Sequence, residues 1–141
     1  MQKRRKKKWR LSGIECRVAD SQSQITNISR GGYALGLDRA LRLAFGGEKD
    51  ISRLKKKLYQ YCLAICKTLD RTKEHYSEFG IDIGIDTDKN LWLFEANVLP
   101  SFKGFKKLSY ETYLDIRYSP LIYALSLTKF APKKKRDPYV L

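Results

Sequence analysis

Between positions 51 and 69 the apolar residues Ile51, Leu54, Leu58, Cys62, Ile65 and Leu69 recur three or four apart. That spacing puts one stripe on a helix face and predicts an amphipathic helix from Asp50 to about Glu78, ahead of Gly80. Past Gly80 the period falls to two. Ile81, Ile83 and Ile85 alternate with Asp82, Gly84 and Asp86, a turn falls on residues 87–90, and a strand returns through residues 91–97. Pro100 ends that segment, and residues 101–107 read as a loop. Residues 110–128 read as a helix with Pro120 as a break or kink. Towards the N-terminus, residues 9–18 and 24–28 read as two strands of a hairpin around Asp20, Ser21 and Gln22. A loop follows at residues 29–32. A short helix is expected over residues 39–45, N-capped by Asp38 and stopped by Gly46 and Gly47.

A chain of 141 residues with 43% apolar content is long and apolar enough for one domain with a real core. The net charge of +14 invites a polyanion, but its distribution changes that picture. Lys3 to Arg10 carry seven basic side chains and Lys133 to Arg136 four, with no acid in either run; without these eleven the remainder carries +3. The expected organisation is a basic segment at 1–8, one domain over 9–130, and a basic tail at 131–141. No apolar stretch approaches the roughly 18 residues of a transmembrane helix, so no membrane partner is expected. The basic start has no apolar core of a secretory signal. Cys16, Cys62 and Cys66 are odd in number and fit no zinc spacing, so reduced thiols in a cytoplasmic protein are expected. Cys62 and Cys66 fall in or beside the helix stripe and read as core. His75, the single histidine, reads as a solvated side chain at a polar helix end.

The second hairpin carries the candidate chemistry. A four-residue turn pairs 86 with 91, 84 with 93 and 82 with 95. Alternation then puts Ile81, Ile83, Ile85, Trp92, Phe94 and Ala96 on one face, and Asp82, Gly84, Asp86, Leu91, Leu93, Glu95 and Asn97 on the other. Asp82 and Glu95 become direct cross-strand neighbours, an arrangement in which like charges repel. Two readings are open. One carboxylate is protonated or paired with Lys or Arg, or a divalent cation sits between them. With Asn97 adding an amide oxygen, the donor set suits Mg²⁺, and Mg²⁺ held by so few protein ligands implies a bound nucleotide. Asp86 and Asp88 read as turn residues.

A second constellation is Thr26-Asn27-Ile28-Ser29-Arg30-Gly31-Gly32. Glycines let backbone N–H groups approach an anion, and Arg30 offers a fork of donors, with Arg17 on the partner strand as a second charge. No Walker motif or G-x-G-x-x-G run is present.

Together these segments resemble ATP-grasp enzymes. Residues 80–97, with Asp82, Glu95, Asn97 and then Pro100, are similar to the C-terminal signature of that superfamily: an Asp on one strand, Glu-x-Asn on the next, and a proline. The runs SGIECRVA and TNISRGGYAL resemble the part of the domain that precedes it. The nearest resemblance is to the YheC/YheD group of endospore coat-associated ATP-grasp proteins, over roughly residues 9–130. It implies an α+β fold, the C-terminal lobe of an ATP-grasp domain, mainly antiparallel sheet with helices covering it. It implies ATP and Mg²⁺ as cofactors, with Asp82, Glu95 and Asn97 on the metal. Arg17 and Arg30 would act catalytically on phosphate, and Asn27, Arg30, Gly31 and Gly32 would bind nucleotide or acceptor. The implied chemistry is ATP-dependent ligation of a carboxylate to an amine or thiol through an acyl phosphate. Such chemistry depends on positioning and charge neutralisation.

The resemblance also implies a second lobe N-terminal to these segments, so the chain reads as the C-terminal half of a longer protein, with the run Lys3 to Lys8 on a strand-loop-strand tip. Partners would then be a nucleotide, a separate N-terminal lobe or spore-coat proteins, in the cytoplasm or the coat. Two competing readings remain: a structural coat component with a vestigial ATP site, and a polyanion or nucleic-acid binder acting through the basic ends, although nucleic acid is not the expected partner.

Overall fold

The computed structural model of the chain describes residues 1–4, 8–18, 33–72 and 74–128. The expected strand at 24–28, its turn, and the tail from 129 lie outside the described residues. The fold is α+β. Four helices and three two-stranded antiparallel sheets follow one another along the chain. Among the described residues the strands form separate pairs rather than the one sheet expected.

The first pair is β1 (Gln2–Lys3) with β2 (Trp9–Arg10), continued by the Arg4 N–H donating to Lys8 O at 3.0 Å, and residues 5–7 of the basic run lie outside the described residues. The stretch expected as one strand over 9–18 divides, because its far end, β3 (Cys16–Val18), pairs with β4 (Tyr33–Leu35) in a different sheet. Residues 33–35, to which the sequence pattern assigns no element, thus form a strand. Helix α1 (Leu37–Phe45) starts two residues earlier than expected. Gly36, not Asp38, holds the N-cap position, and Asp38 instead lies in the first turn with its carboxylate 2.6 Å from Lys55. Gly46, at φ 71°, stops the helix as expected, a backbone conformation that suits glycine.

Helix α2 (Glu48–Leu69) buries Ile51, Leu54, Leu58 and Cys62 of the predicted stripe and leaves Ile65 and Leu69 half-buried, while Cys66 beside it is buried. It stops at Leu69, nine residues short of the expected end, where the apolar repeat itself stops. A 3-10 turn follows at Asp70–Thr72. Cys66 is fully buried, and burial pushes its thiol up to about 12, so it stays protonated and packs as an apolar group. Burial raises Cys62 as well.

The hairpin β5 (Gly80–Ile85) and β6 (Leu91–Asn97) lies along α2. Ile85 and Leu91 join Ile51, Leu54 and Leu41 at one end. Ile81 joins Cys66, Trp9 and Phe79 at the other, where the Trp9 and Phe79 rings stack at 5.1 Å. Residues 103–108, read as part of a loop, form α3 (Lys103–Leu108). Helix α4 (Tyr110–Ser126) is N-capped by Ser109, whose Oγ accepts the Thr112 N–H at 3.2 Å. It packs on β1 and α3. Among the described residues no helix is long and apolar enough to cross a membrane.

Pro120 neither breaks nor ends α4. A proline there removes the N–H that the Ile116 carbonyl would accept four residues back. Gln2 supplies the replacement: its Nε2 donates to Ile116 O at 2.8 Å and to Glu78 Oε2 at 2.8 Å, with Gln2 buried. Lys3 is buried too; its ammonium donates to Asp70 Oδ1 at 2.7 Å and lies 4.8 Å from the Trp9 ring centre. Trp9 Nε1 donates to the other Asp70 oxygen at 2.7 Å, and Arg4 reaches Asp115 with two nitrogens. Gln2, Lys3 and Trp9 are thus part of the packed interior.

Candidate functional site

The β5–β6 hairpin sets the candidate site. Its turn is one residue longer than the sequence suggests: Asp86 N donates to Asn90 O, and the first facing pair is Ile85 with Leu91. This slips the pairing by one, so Ile83 faces Leu93 and Gly84 faces Trp92, overturning the expected pairs of 86 with 91 and 84 with 93. A β-bulge then inserts Phe94 and restores the register. Asp82 faces Glu95 as predicted, and Gly80 faces Asn97. Two deviations of opposite sense cancel just where the carboxylates stand.

The bulge also changes which side chains share the acidic face. Leu91 and Leu93 pair with the isoleucines, while Trp92 and Phe94 leave them. The Phe94 ring rests on Gly84, where a Cβ would approach its edge to 2.7 Å. Trp92 Nε1 donates to Asp86 Oδ2 at 2.9 Å. Trp92 and Phe94 are 58% and 75% exposed, so two aromatic rings stand in the open on the face expected to hold Leu91 and Leu93. Sequence alternation misses both. The available signal was Gly84 itself, since a glycine inside a strand often marks a bulge or a close approach.

On this face the Asp82 and Glu95 side chains start roughly 5 Å apart at Cβ, as in any directly opposed pair. Asn97 Nδ2 donates to Glu95 Oε1 at 2.7 Å, so the amide and the carboxylate are gathered together. Among the described residues no cation or donor is placed against the Asp82 carboxylate. No group of three or more His, Cys, Asp or Glu side chains assembles among them either. A metal here would therefore rest on two carboxylates and the Asn97 amide, with no fourth strong protein ligand. Those are hard oxygen donors, and the set fits Mg²⁺ that keeps several ligands of its own.

Asp86 is a turn residue, as expected. It accepts from Asn90 N at 2.8 Å and Asn90 Nδ2 at 3.1 Å besides the Trp92 indole. The indole bond, followed by those of Asn90, holds its carboxyl below the usual carboxylate range. Pro100 sits against Gly80, where a Cβ would approach the proline ring to 2.6 Å, leaving no room for a side chain beneath the end of β6.

Arg17, on β3, is half exposed and lies 3.4 Å from Glu15. The Glu15 carboxylate is itself packed on Gly104 in the first turn of α3. Asn27, Arg30, Gly31 and Gly32 lie outside the described residues. His75 is exposed, as expected, but its Nε2 lies 2.8 Å from the hydroxyl of the buried Tyr123.

Residues 1–127 match the family described as YheC/D like ATP-grasp. The endospore coat-associated protein YheD of Bacillus subtilis (strain 168) is 30% identical over 99 residues, which cover 70% of this chain and 21% of that protein. The chain thus spans about a fifth of the length of that relative. No solved structure matches.

Proposed function

The chain belongs to the YheC/D-like ATP-grasp family, and on that premise we propose that the open face of β5–β6 is the metal side of a Mg-nucleotide site. One observation supports this most: two carboxylates are held directly opposite each other and no cation among the described residues compensates them. A fold keeps such a destabilising pair when a ligand uses it. Asp82, Glu95 and Asn97 would hold Mg²⁺, which when bound neutralises nucleotide phosphates. Arg17 would face the same negative charge from β3, with Glu15 steadying its guanidinium. Asn27, Arg30, Gly31 and Gly32 would add phosphate donors.

The reaction this arrangement serves is ATP-dependent ligation of a carboxylate to an amine or thiol through an acyl phosphate. These side chains contribute by fixing phosphates in place and screening their charge. By extension from the coat-associated relative, the protein would act in the cytoplasm of a spore-forming cell or at the spore coat.

Thermal unfolding with and without Mg-ATP tests the proposal, on the chain and on Glu95→Gln. A ligand at about 100 times its Kd stabilises by roughly 2.7 kcal/mol. The expected result is a shift that requires Mg²⁺ and disappears in Glu95→Gln. A shift that ignores both and vanishes with salt would point instead to polyphosphate held by the basic segments. A folded chain with no shift would favour a structural coat role.

A further inference from the structure

Helix α2 carries a second stripe that the packing does not use. Arg53, Lys56, Gln60, Ala64, Lys67 and, in the turn that continues the helix, Arg71 repeat the spacing of the apolar stripe two residues further along. Two residues are about 200° of helical turn, so this second stripe runs along the opposite side, and all six of its residues are exposed. No Asp or Glu occurs between positions 51 and 69. Lys56, Lys67 and Arg71 make no hydrogen bond or ion pair among the described residues. Arg53 lies near Asp50, but that carboxylate is bonded to Lys89 at 2.8 Å. Asp70, beside Arg71, is taken by Lys3 and Trp9.

The four cations stand as two pairs. Along the axis Lys56 and Lys67 are about 16 Å apart, the whole stripe is about 27 Å long, and Gln60 and Ala64 make its middle uncharged. A nucleic-acid duplex sets a row of phosphates on each side of a major groove roughly 12 Å wide. A straight rod laid across that groove, basic towards both ends and neutral between, meets both rows. A bilayer fits less well, because an interfacial helix enters lipid with its apolar face, and α2 has turned that face into the core. We propose that the outer side of α2 binds duplex nucleic acid through its phosphates, without reading sequence. The surface is separate from the β5–β6 carboxylates and from the basic runs at the two ends of the chain.

The test is fluorescence anisotropy of the full chain with a labelled DNA duplex of about 24 base pairs, roughly two helical turns, in EDTA over a series of salt concentrations. One variant carries Arg53→Gln, Lys56→Gln, Lys67→Gln and Arg71→Gln together. A second removes the same charge elsewhere, with Lys103→Gln, Lys106→Gln and Lys107→Gln on α3 and Arg117→Gln on α4. All eight side chains are exposed, so both folds should stand. The α2 variant should bind at least tenfold more weakly than the second variant, and its dependence of log affinity on log salt should be shallower by about 3, at roughly 0.9 per phosphate contact. The proposal fails if the two variants weaken binding equally, since the charge of the whole chain would then suffice. It fails also if the unsubstituted chain does not bind the duplex, or if the α2 substitutions abolish binding to phosphatidylserine vesicles and leave the duplex affinity unchanged.

Discussion

Two regions bring charged side chains together from distant parts of the chain, and they do it in opposite ways. Around β1, each acid meets a partner: Asp70 takes Lys3 and Trp9, Glu78 takes Gln2, and Asp115 takes Arg4. On β5–β6, Asp82 and Glu95 face each other, and among the described residues the only polar partner gathered to them is the Asn97 amide. The first region is closed, its Asp70 and Asp115 side chains 34% and 30% exposed, and its ion pairs and hydrogen bonds tie β1 to the rest of the fold. The second is open, and its two carboxylates have no compensating cation among the described residues. Matched charge supports the fold in the first, and the unmatched pair in the second is what the proposed Mg-nucleotide site rests on.

The largest expected effect tests the closed region. Asp70→Asn leaves the Lys3 ammonium, with a side chain only 9% exposed, without its counter-charge. Breaking a buried pair from one side costs about 3–5 kcal/mol, and the partial exposure of Asp70 brings the expected loss to about 2–3 kcal/mol. Urea unfolding reads it directly. A change below about 0.5 kcal/mol would class the contact with ordinary surface pairs and dissolve the contrast.

A smaller effect is expected at Gln2. Gln2→Leu strands the Ile116 carbonyl that Pro120 already deprives of its helical donor, at about 1–3 kcal/mol. Pro120→Ala restores that donor, so in the Pro120→Ala background the same Gln2→Leu change should cost distinctly less. A double-mutant cycle of unfolding free energies measures the difference. Equal costs in both backgrounds would mean that Gln2 serves Glu78 and not the proline.

The two regions also differ in how far they can be read from sequence. Helix α2 is legible because it follows from a local period, whereas the pairing of Asp82 with Glu95 comes out of a turn length and a strict alternation that both differ from the structure and cancel. The closed region is not legible. Lys3 belongs to a basic run that any composition argument places in solvent, and only Asp70, 67 positions away, makes its burial tolerable. Gln2 is buried for a reason carried by Pro120, at the other end of the chain. Even the acidic pair is reached by an argument whose steps partly fail. The longer turn shifts the register and the Phe94 bulge shifts it back, so the carboxylates stay opposed while Trp92 and Phe94 change faces. Alternation reports which residues differ from their neighbours; it does not report an inserted residue, and the exposed rings were lost with it.

The smallest effect carries the opposite sign and is the sharpest test of the comparison. Asp82→Asn removes one charge from a pair that has no compensating cation among the described residues. In EDTA it should therefore stabilise the chain, by about 0.2–1 kcal/mol, the range for opposed side chains on a ladder. Glu95→Gln should do the same by a similar amount, because either substitution ends the same repulsion. The two together should add little beyond one alone, since the second has no repulsion left to remove. Asp70→Asn, chemically the same change, destabilises in the other region. With Mg-ATP present the order should reverse, the unsubstituted chain gaining stability that neither variant gains. Urea titrations in EDTA and in Mg-ATP, on the unsubstituted chain, both single variants and the double variant, give these values. If Asp82→Asn instead destabilises in EDTA, the carboxylate has a stabilising role within the fold, and the hairpin loses its claim to be a site kept open for a ligand.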